Sequence, residues 1–292
     1  MTTQAQLIRS GQVSFIERLN PQLWSSFKTS SSVSATQTPS WQNLLALLNT
    51  ASGPLADKRV RQAVELAIDY NGMVAALKGS ATRQVGVVPP GLWGHVDSLP
   101  YSTTNVNQAK TLLKQAGYGP GGKKMTLLLT HVQGDSDEEL VSALIKSNLA
   151  PLNIDVQVQA LQWPVQWGKG KSANPKNRQD IFLFYWWPDY ADPYSWFINL
   201  FHSEPKPFYN LSYYKNKTVD SQMEQAEKLA GTKRDKSISL YGDVQKTLAN
   251  DGVVAPLYVQ QYQRVISNSV GGFVDNPAYP NVAFAYNLTP KS

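Results

Sequence analysis

The sequence has no cysteine, only three histidines, and few charges for its length: 16% of its 292 residues are Asp, Glu, Lys or Arg. Without cysteine there is no disulfide, thiolate metal site or thiol nucleophile, which removes several enzyme classes but leaves the compartment open. His95, His131 and His202 lie far apart. None has a second histidine or a carboxylate at metal-ligand spacing, so neither a metal nor a cofactor is expected. No uninterrupted apolar run approaches the roughly 20 residues that cross a bilayer, and the opening stretch MTTQAQLIRSGQ lacks the apolar core of a secretory signal. Charge of one sign is only slightly in excess, 27 Lys+Arg against 21 Asp+Glu. The basic residues are scattered, and their one local cluster, KGKSANPKNR at 169–178, reads as a solvated turn. A nucleic-acid face should recur along a helix or interleave with stacking aromatics, so no nucleic-acid partner is expected.

What is present is a chain with 42% hydrophobic residues, ordinary for a folded protein and long enough for one large domain or two smaller ones. Residues 1–53 show little periodicity and read as strands or connections, with LLALLN at 44–49 the one strong apolar run. From Asp57 the pattern sharpens: Val60, Ala63, Val64, Ala67 and Ile68 recur at helical spacing behind an Asp57 cap, and Asp69 can cap a second helix carrying Met73, Val74 and Leu77. VVPPGLWG at 87–94 must be a loop, because paired prolines withhold two backbone donors. A helix is predicted over 105–116 with Gly117 closing it in a left-handed conformation. KMTLLLT then reads as a buried strand, and Asp137, Glu138 and Glu139 suit the first turn of a helix bearing Leu140, Leu144 and Ile145. IDVQVQAL (154–161) alternates as a strand with one covered face, and DIFLFYWW is apolar on both faces, as in a sheet covered by helices. The order β, α, β, short α, β implies an α/β sheet with crossover helices. Helices at about 218–230 and 235–250 precede the strands VVAPLYV, QRVIS and VAFAY.

Several motifs dissolve on inspection. GYGPGGK (117–123) matches the phosphate-loop spacing, but Lys124 stands where Ser or Thr should hold magnesium, and the segment leaves a helix instead of entering one. SSFK (25–28) lacks the companions of the S-x-x-K hydrolases. Triplets at Asn210, Asn216 and Asn287 fit glycosylation acceptors, a pattern that polar loops supply freely. The stretch YWWPDYADPYSWF (185–197) is different. It places Asp189 and Asp192 just past the carboxyl end of a strand, where open α/β sheets form their ligand crevices. Two carboxylates among tryptophans raise a glycoside hydrolase, but residues three apart in one turn seldom face each other across a sugar. Asp192 suits a cap for a helix starting near Pro193, and some of the rings suit the core; Asp189 is less easily assigned to structure.

These stretches together resemble a known family, the extracellular solute-binding proteins of family 5, which deliver peptides, and in some members nickel or oligosaccharides, to ABC importers. PLADKRVRQAVELAIDYNGMV (54–74) is similar to that family's helix pair. VPPGLWG, NVNQAKTLLKQAGY, VQVQALQWPVQW, DIFLFYWWPDYADPYSWF and YNLSYYKNKTVDSQMEQA follow in the family's order. The resemblance implies a periplasmic-binding-protein-like α/β fold of the type II clamshell kind, with a mixed sheet and flanking helices. It implies a remnant of the N-terminal lobe and hinge crossing in 1–53, a C-terminal ligand-binding lobe in 54–268 and a return toward the first lobe in 269–292. The N-terminal part of the family's length, secretion signal included, is expected to be missing, whether truncated or supplied by another chain.

By the same resemblance the protein is no enzyme but an extracytoplasmic receptor, periplasmic or a cell-surface lipoprotein, that hands a small solute to a membrane permease and its ATPase. The family's Trp–x–x–Asp turn falls on Trp186 and Asp189, with Asp189 pairing a peptide's ammonium group and Trp186 lining a pocket. Trp163 matches a second pocket aromatic, and Trp187 and Tyr190 are their neighbours. Tyr185 replaces the family's usual glycine, Leu183 stands where an arginine can occur, and THVQGDSDEE lacks the arginine that dipeptide binders offer to a carboxylate. A peptide is the expected ligand, an oligosaccharide the alternative within the family, and a carbohydrate-active hydrolase the alternative outside it.

Overall fold

A computed structural model describes residues 2–280 and 282–291. The chain opens with α1 (Thr2–Arg9), β1 (Phe15–Glu17), α2 (Pro21–Ser25) and β2 (Val33–Leu48), followed by α3 (Lys58–Ala67), α4 (Tyr70–Ala76) and β3 (Ala81–Arg83). The middle holds α5 (Val106–Gln115), β4 (Met125–Val132), α6 (Ser136–Leu149), β5 (Ile154–Leu161), α7 (Trp163–Gly170) and β6 (Ile181–Trp186). Three helices, α8 (Tyr194–Leu200), α9 (Lys217–Leu229) and α10 (Arg234–Asp251), lead to β7 (Val254–Ser267), and β8 (Val270–Gly271) pairs with β9 (Thr289–Pro290).

Seven strands make one mixed sheet in the order β1-β7-β2-β6-β4-β5, with β3 also against β7. β4, β5 and β6 are parallel and joined by crossovers through α6 and α7, whereas β2 runs antiparallel to both β6 and β7. Alternation along the central strands feeds two cores. Leu44, Ala46, Leu48, Ile181 and Leu183 face α3 to α6, and Leu45, Leu47, Phe182 and Phe184 face α8 to α10. A mixed α/β sheet covered on both faces is the predicted fold. A third, smaller cluster joins Ala5, Ile8, Ile16, Trp24 and Phe27 to Val265.

The predicted caps form: Asp57 accepts from Arg59 N and Asp69 from Gly72 N, and Gly117 closes α5 at φ +82°. The departures have local causes. The weakly patterned N-terminal stretch contains the 16-residue β2, whose pairing with β7 shifts register between Pro39 and Asn43, where proline cannot donate to the ladder. The acidic run is no departure: Asp137, Glu138 and Glu139 occupy the first turn of α6 as expected, behind the Asp135 cap. VVAPLYV and QRVIS are one continuous strand, β7. VAFAY is not a strand: Val282, Phe284 and Tyr286 alternate but are all exposed, so no face of that segment is buried. β5 is an edge strand covered only at Ile154 and Val156, with Val158 exposed.

Candidate functional site

The parallel strands end side by side, β4 at Val132, β5 at Leu161 and β6 at Trp186. The segments that follow them build two adjoining surfaces, one aromatic and one polar, and the alternation of β6 sends Trp186 to the first and Tyr185 to the second.

On the aromatic side, Trp163 opens α7 directly after β5. Its ring stacks on Phe184 at 5.8 Å and 23° and lies 5.1 Å from Trp167. Phe184 meets Trp186 edge-on at 5.4 Å, and Tyr209 packs against both Trp167 and Trp186. Trp163 keeps 38% of its surface exposed, whereas Trp186 is half-buried with its indole N–H donated to Ser195 Oγ at 3.2 Å. Trp163 and Trp186 thus belong to one cluster, bridged by Phe184.

Past Trp186 the chain turns through Pro188, which is buried, with Trp187, Asp189 and Tyr190 exposed around it. Asp192 lies two residues before α8 and accepts from Tyr194 N, the first residue of that helix, at 2.8 Å. The turn is pinned from outside: Trp93 donates its indole N–H to Ala191 O at 3.1 Å, and the Tyr279 hydroxyl donates to Asp189 O at 3.4 Å. The Asp189 carboxylate itself has no hydrogen-bond or ion-pair partner among the described residues.

On the Tyr185 side lies a polar cavity of about 290 Å³. Its walls come from the β4–α6 loop, from Gln260–Arg264 in the middle of β7, from Gln42 in β2 and from Arg18 after β1. Tyr185 shares a 2.6 Å hydroxyl contact with Tyr258, and burial pushes both phenols up. Arg264 is buried and bound by Glu17 and Asp275. Asp135 is spent on the amides of Asp137 and Glu138, and the Glu138 carboxylate accepts from Val132 N at 2.6 Å. Desolvation, with Asp135 adding to it, pushes Asp137 up to about 6 and Glu138 up to about 8.

None of Asp189, Trp186, Trp163, Trp187 and Tyr190 lines that cavity, although Pro280 does, one residue from the Tyr279 that holds the Asp189 turn. The cavity's own residues carry little signal in the sequence. Arg18 sits in an unpatterned stretch, and the Tyr185 that enters its wall reads as one more aromatic in a run of them. The usable sign was Arg264, a charge inside an apolar strand, which must be paired to be buried.

The model of the bacterial extracellular solute-binding proteins, family 5, middle region, matches residues 1–208. The chain is 27% identical over 284 residues to a probable D,D-dipeptide-binding periplasmic protein, DdpA, of Escherichia coli K12, covering 97% of this chain and 52% of that one. It is 28% identical over 236 residues to the periplasmic murein peptide-binding protein MppA of the same strain, covering 78% and 42%. Among solved structures, the ABC transporter-associated periplasmic binding protein DppA from Helicobacter pylori, in complex with the peptide STSA, superposes over 100% of this chain and 55% of its own at TM-score 0.86 and 20% identity, a likeness of fold. The chain spans about half the length of the curated relatives it matches.

Proposed function

This chain belongs to the bacterial extracellular solute-binding proteins of family 5, and on that premise we propose that it captures a peptide for an ABC importer, outside the cytoplasm, and presents it to the membrane permease. The peptide's ammonium group pairs with Asp189, while Trp163, Trp186, Trp187 and Tyr190 form the aromatic surround. The observation that carries the reading is the division of labour in the 187–193 turn: Asp192 accepts from Tyr194 N at the start of α8, while the Asp189 carboxylate has no partner among the described residues and lies between the exposed Trp187 and Tyr190 in sequence. An ion pair on a carboxylate this exposed is worth about 0.2–1 kcal/mol, and ring faces add about 0.5–1 kcal/mol of cation–π attraction. Relatives named for peptides support the choice of ligand class. Capture requires no bond to be made or broken, so no turnover is expected.

A second reading, an oligosaccharide ligand, rests on Trp163, whose exposed indole is held rigidly on Phe184 and offers a flat apolar platform. Isothermal titration of short peptides against cello- and xylo-oligomers separates the two. Heat of binding with peptides alone is expected, and a sugar that binds while every peptide fails would overturn the proposal. Release of reducing sugar, abolished by Asp189→Asn, would instead establish a hydrolase.

A further inference from the structure

Arg18 and Asp137 line the same 290 Å³ cavity with opposite charges, yet they form no ion pair with each other, nor with any other of the described residues. The other charges on its wall are occupied. Arg264 is bound by Glu17 and Asp275, and Asp135 by two amides of its own helix. Arg18 is also held at φ +55°, the left-handed region that a residue with a long side chain adopts only at a cost. Backbone strain of this kind persists where the surrounding structure enforces it, and it is often found at binding sites. These two charges, without an ion pair among the described residues although Arg18 favours the ionised form of neighbouring Glu17, come from segments far apart in sequence, one after β1 and one at the start of α6, and the sheet order brings them to one cavity. A guest that satisfies both must carry a negative group toward Arg18 and a positive one toward Asp137.

We propose that this cavity receives a zwitterionic head group, an ammonium and a carboxylate on neighbouring atoms as in a free α-amino acid, with the carboxylate on the Arg18 guanidinium and the ammonium on Asp137. The volume is enough for such a head. The assignment deepens the solute-capture reading and rests on it, but not on Asp189. If both sites act together, the solute carries a second amino group that reaches Asp189 while its zwitterionic end enters the cavity. Arginine suits the carboxylate because its planar fork can donate two parallel hydrogen bonds, and Asp137 suits the ammonium because a desolvated carboxylate gains most from a counter-charge.

The test uses the full chain and three probes. Nε-acetyllysine presents the zwitterionic head, Nε-acetyllysinamide lacks the carboxylate, and Nα,Nε-diacetyllysine lacks the ammonium. Titration is followed by the NMR shifts of the Arg18 Nε and the Asp137 carboxyl carbon. Nε-acetyllysine is expected to move both signals and to bind at least about tenfold more tightly than either derivative. Arg18→Gln should abolish the preference for acid over amide while retaining that for free over acetylated amine, and Asp137→Asn should do the reverse; a merely structural role for either residue would weaken all three probes alike. Both signals unmoved by Nε-acetyllysine, or an Arg18→Gln protein that still prefers the acid, overturns the assignment. If peptides bind while the three probes do not, the cavity assignment falls and the capture reading stands. If the probes bind here while no peptide does, the cavity assignment stands and the peptide reading falls.

Discussion

At the scale of single residues, three carboxylates near the strand ends have three fates set by their surroundings. Asp192 is spent on Tyr194 N, Asp189 is exposed and its carboxylate has no partner among the described residues, and Glu138 is buried against Val132 N. Glu138 carries the clearest consequence for stability. Burial pushes its carboxyl from 4.5 up to about 8. The folded protein therefore holds a proton that the unfolded chain releases, so the stability it contributes is complete below about pH 4.5 and is lost as pH rises through about 8. Glu138→Gln keeps an acceptor for Val132 N and removes the titration. In urea denaturation the variant should show a flatter dependence of stability on pH between about 5 and 9, and should gain on the parent protein toward the alkaline end. Parallel curves for the two proteins would contradict this account of Glu138. The pair Asp189 and Asp192 was legible in the sequence because places at a strand end and before a helix start are local properties. The buried state of Glu138 was not: in a first-turn acidic run it looks like any dipole-complementing residue, and only the neighbouring β4 desolvates it.

At the scale of elements, what could be read was what each element declares by itself. Asp57, Asp69, Asn105 and Asn216 all accept from amides of the helices they precede, and the apolar spacing that follows fixes the buried face. β2 reads in the sequence only as a strand or a connection, because its first half is a Ser/Thr-rich ribbon whose burial depends on β7, more than 200 residues away. The short helix α7 shows why a weak pattern can still matter. Only Gln166 and Gly170 are fully buried, yet α7 fixes Trp163 against Phe184. The turn before α8 can be probed as a unit. Asp192→Ala removes the acceptor for Tyr194 N and should cost about 1 kcal/mol of stability. Because Asp189 sits three residues upstream, peptide affinity should fall as well, with the N-acetylated and free peptides converging. A loss of stability with affinity unchanged would show that the turn's geometry does not matter to capture.

At the scale of the whole molecule, the two candidate surfaces owe their proximity to sheet order. The strand sequence β1-β7-β2-β6-β4-β5 sets Arg18, Gln260–Arg264, Tyr185 and the α6 start around one hollow, and the crossovers through α6 and α7 bring the aromatic rings to the same edge. The family resemblance supplied that topology in outline, and the mixed sheet with helices on both faces follows it. No arrangement of nearest neighbours in the sequence encodes the cavity, which is why its residues emerge only from the structure.

The central claim is that Asp189 holds the positive end of a peptide. It is tested most directly by calorimetric titration of one tight-binding peptide, free and N-acetylated, into the parent protein and into Asp189→Asn. A loss of about 0.5–1.5 kcal/mol, roughly two- to tenfold in affinity, is expected from either change alone, with little further loss when both are combined. Equal affinities for the free and acetylated peptide in the parent protein, or two losses that simply add, would contradict it.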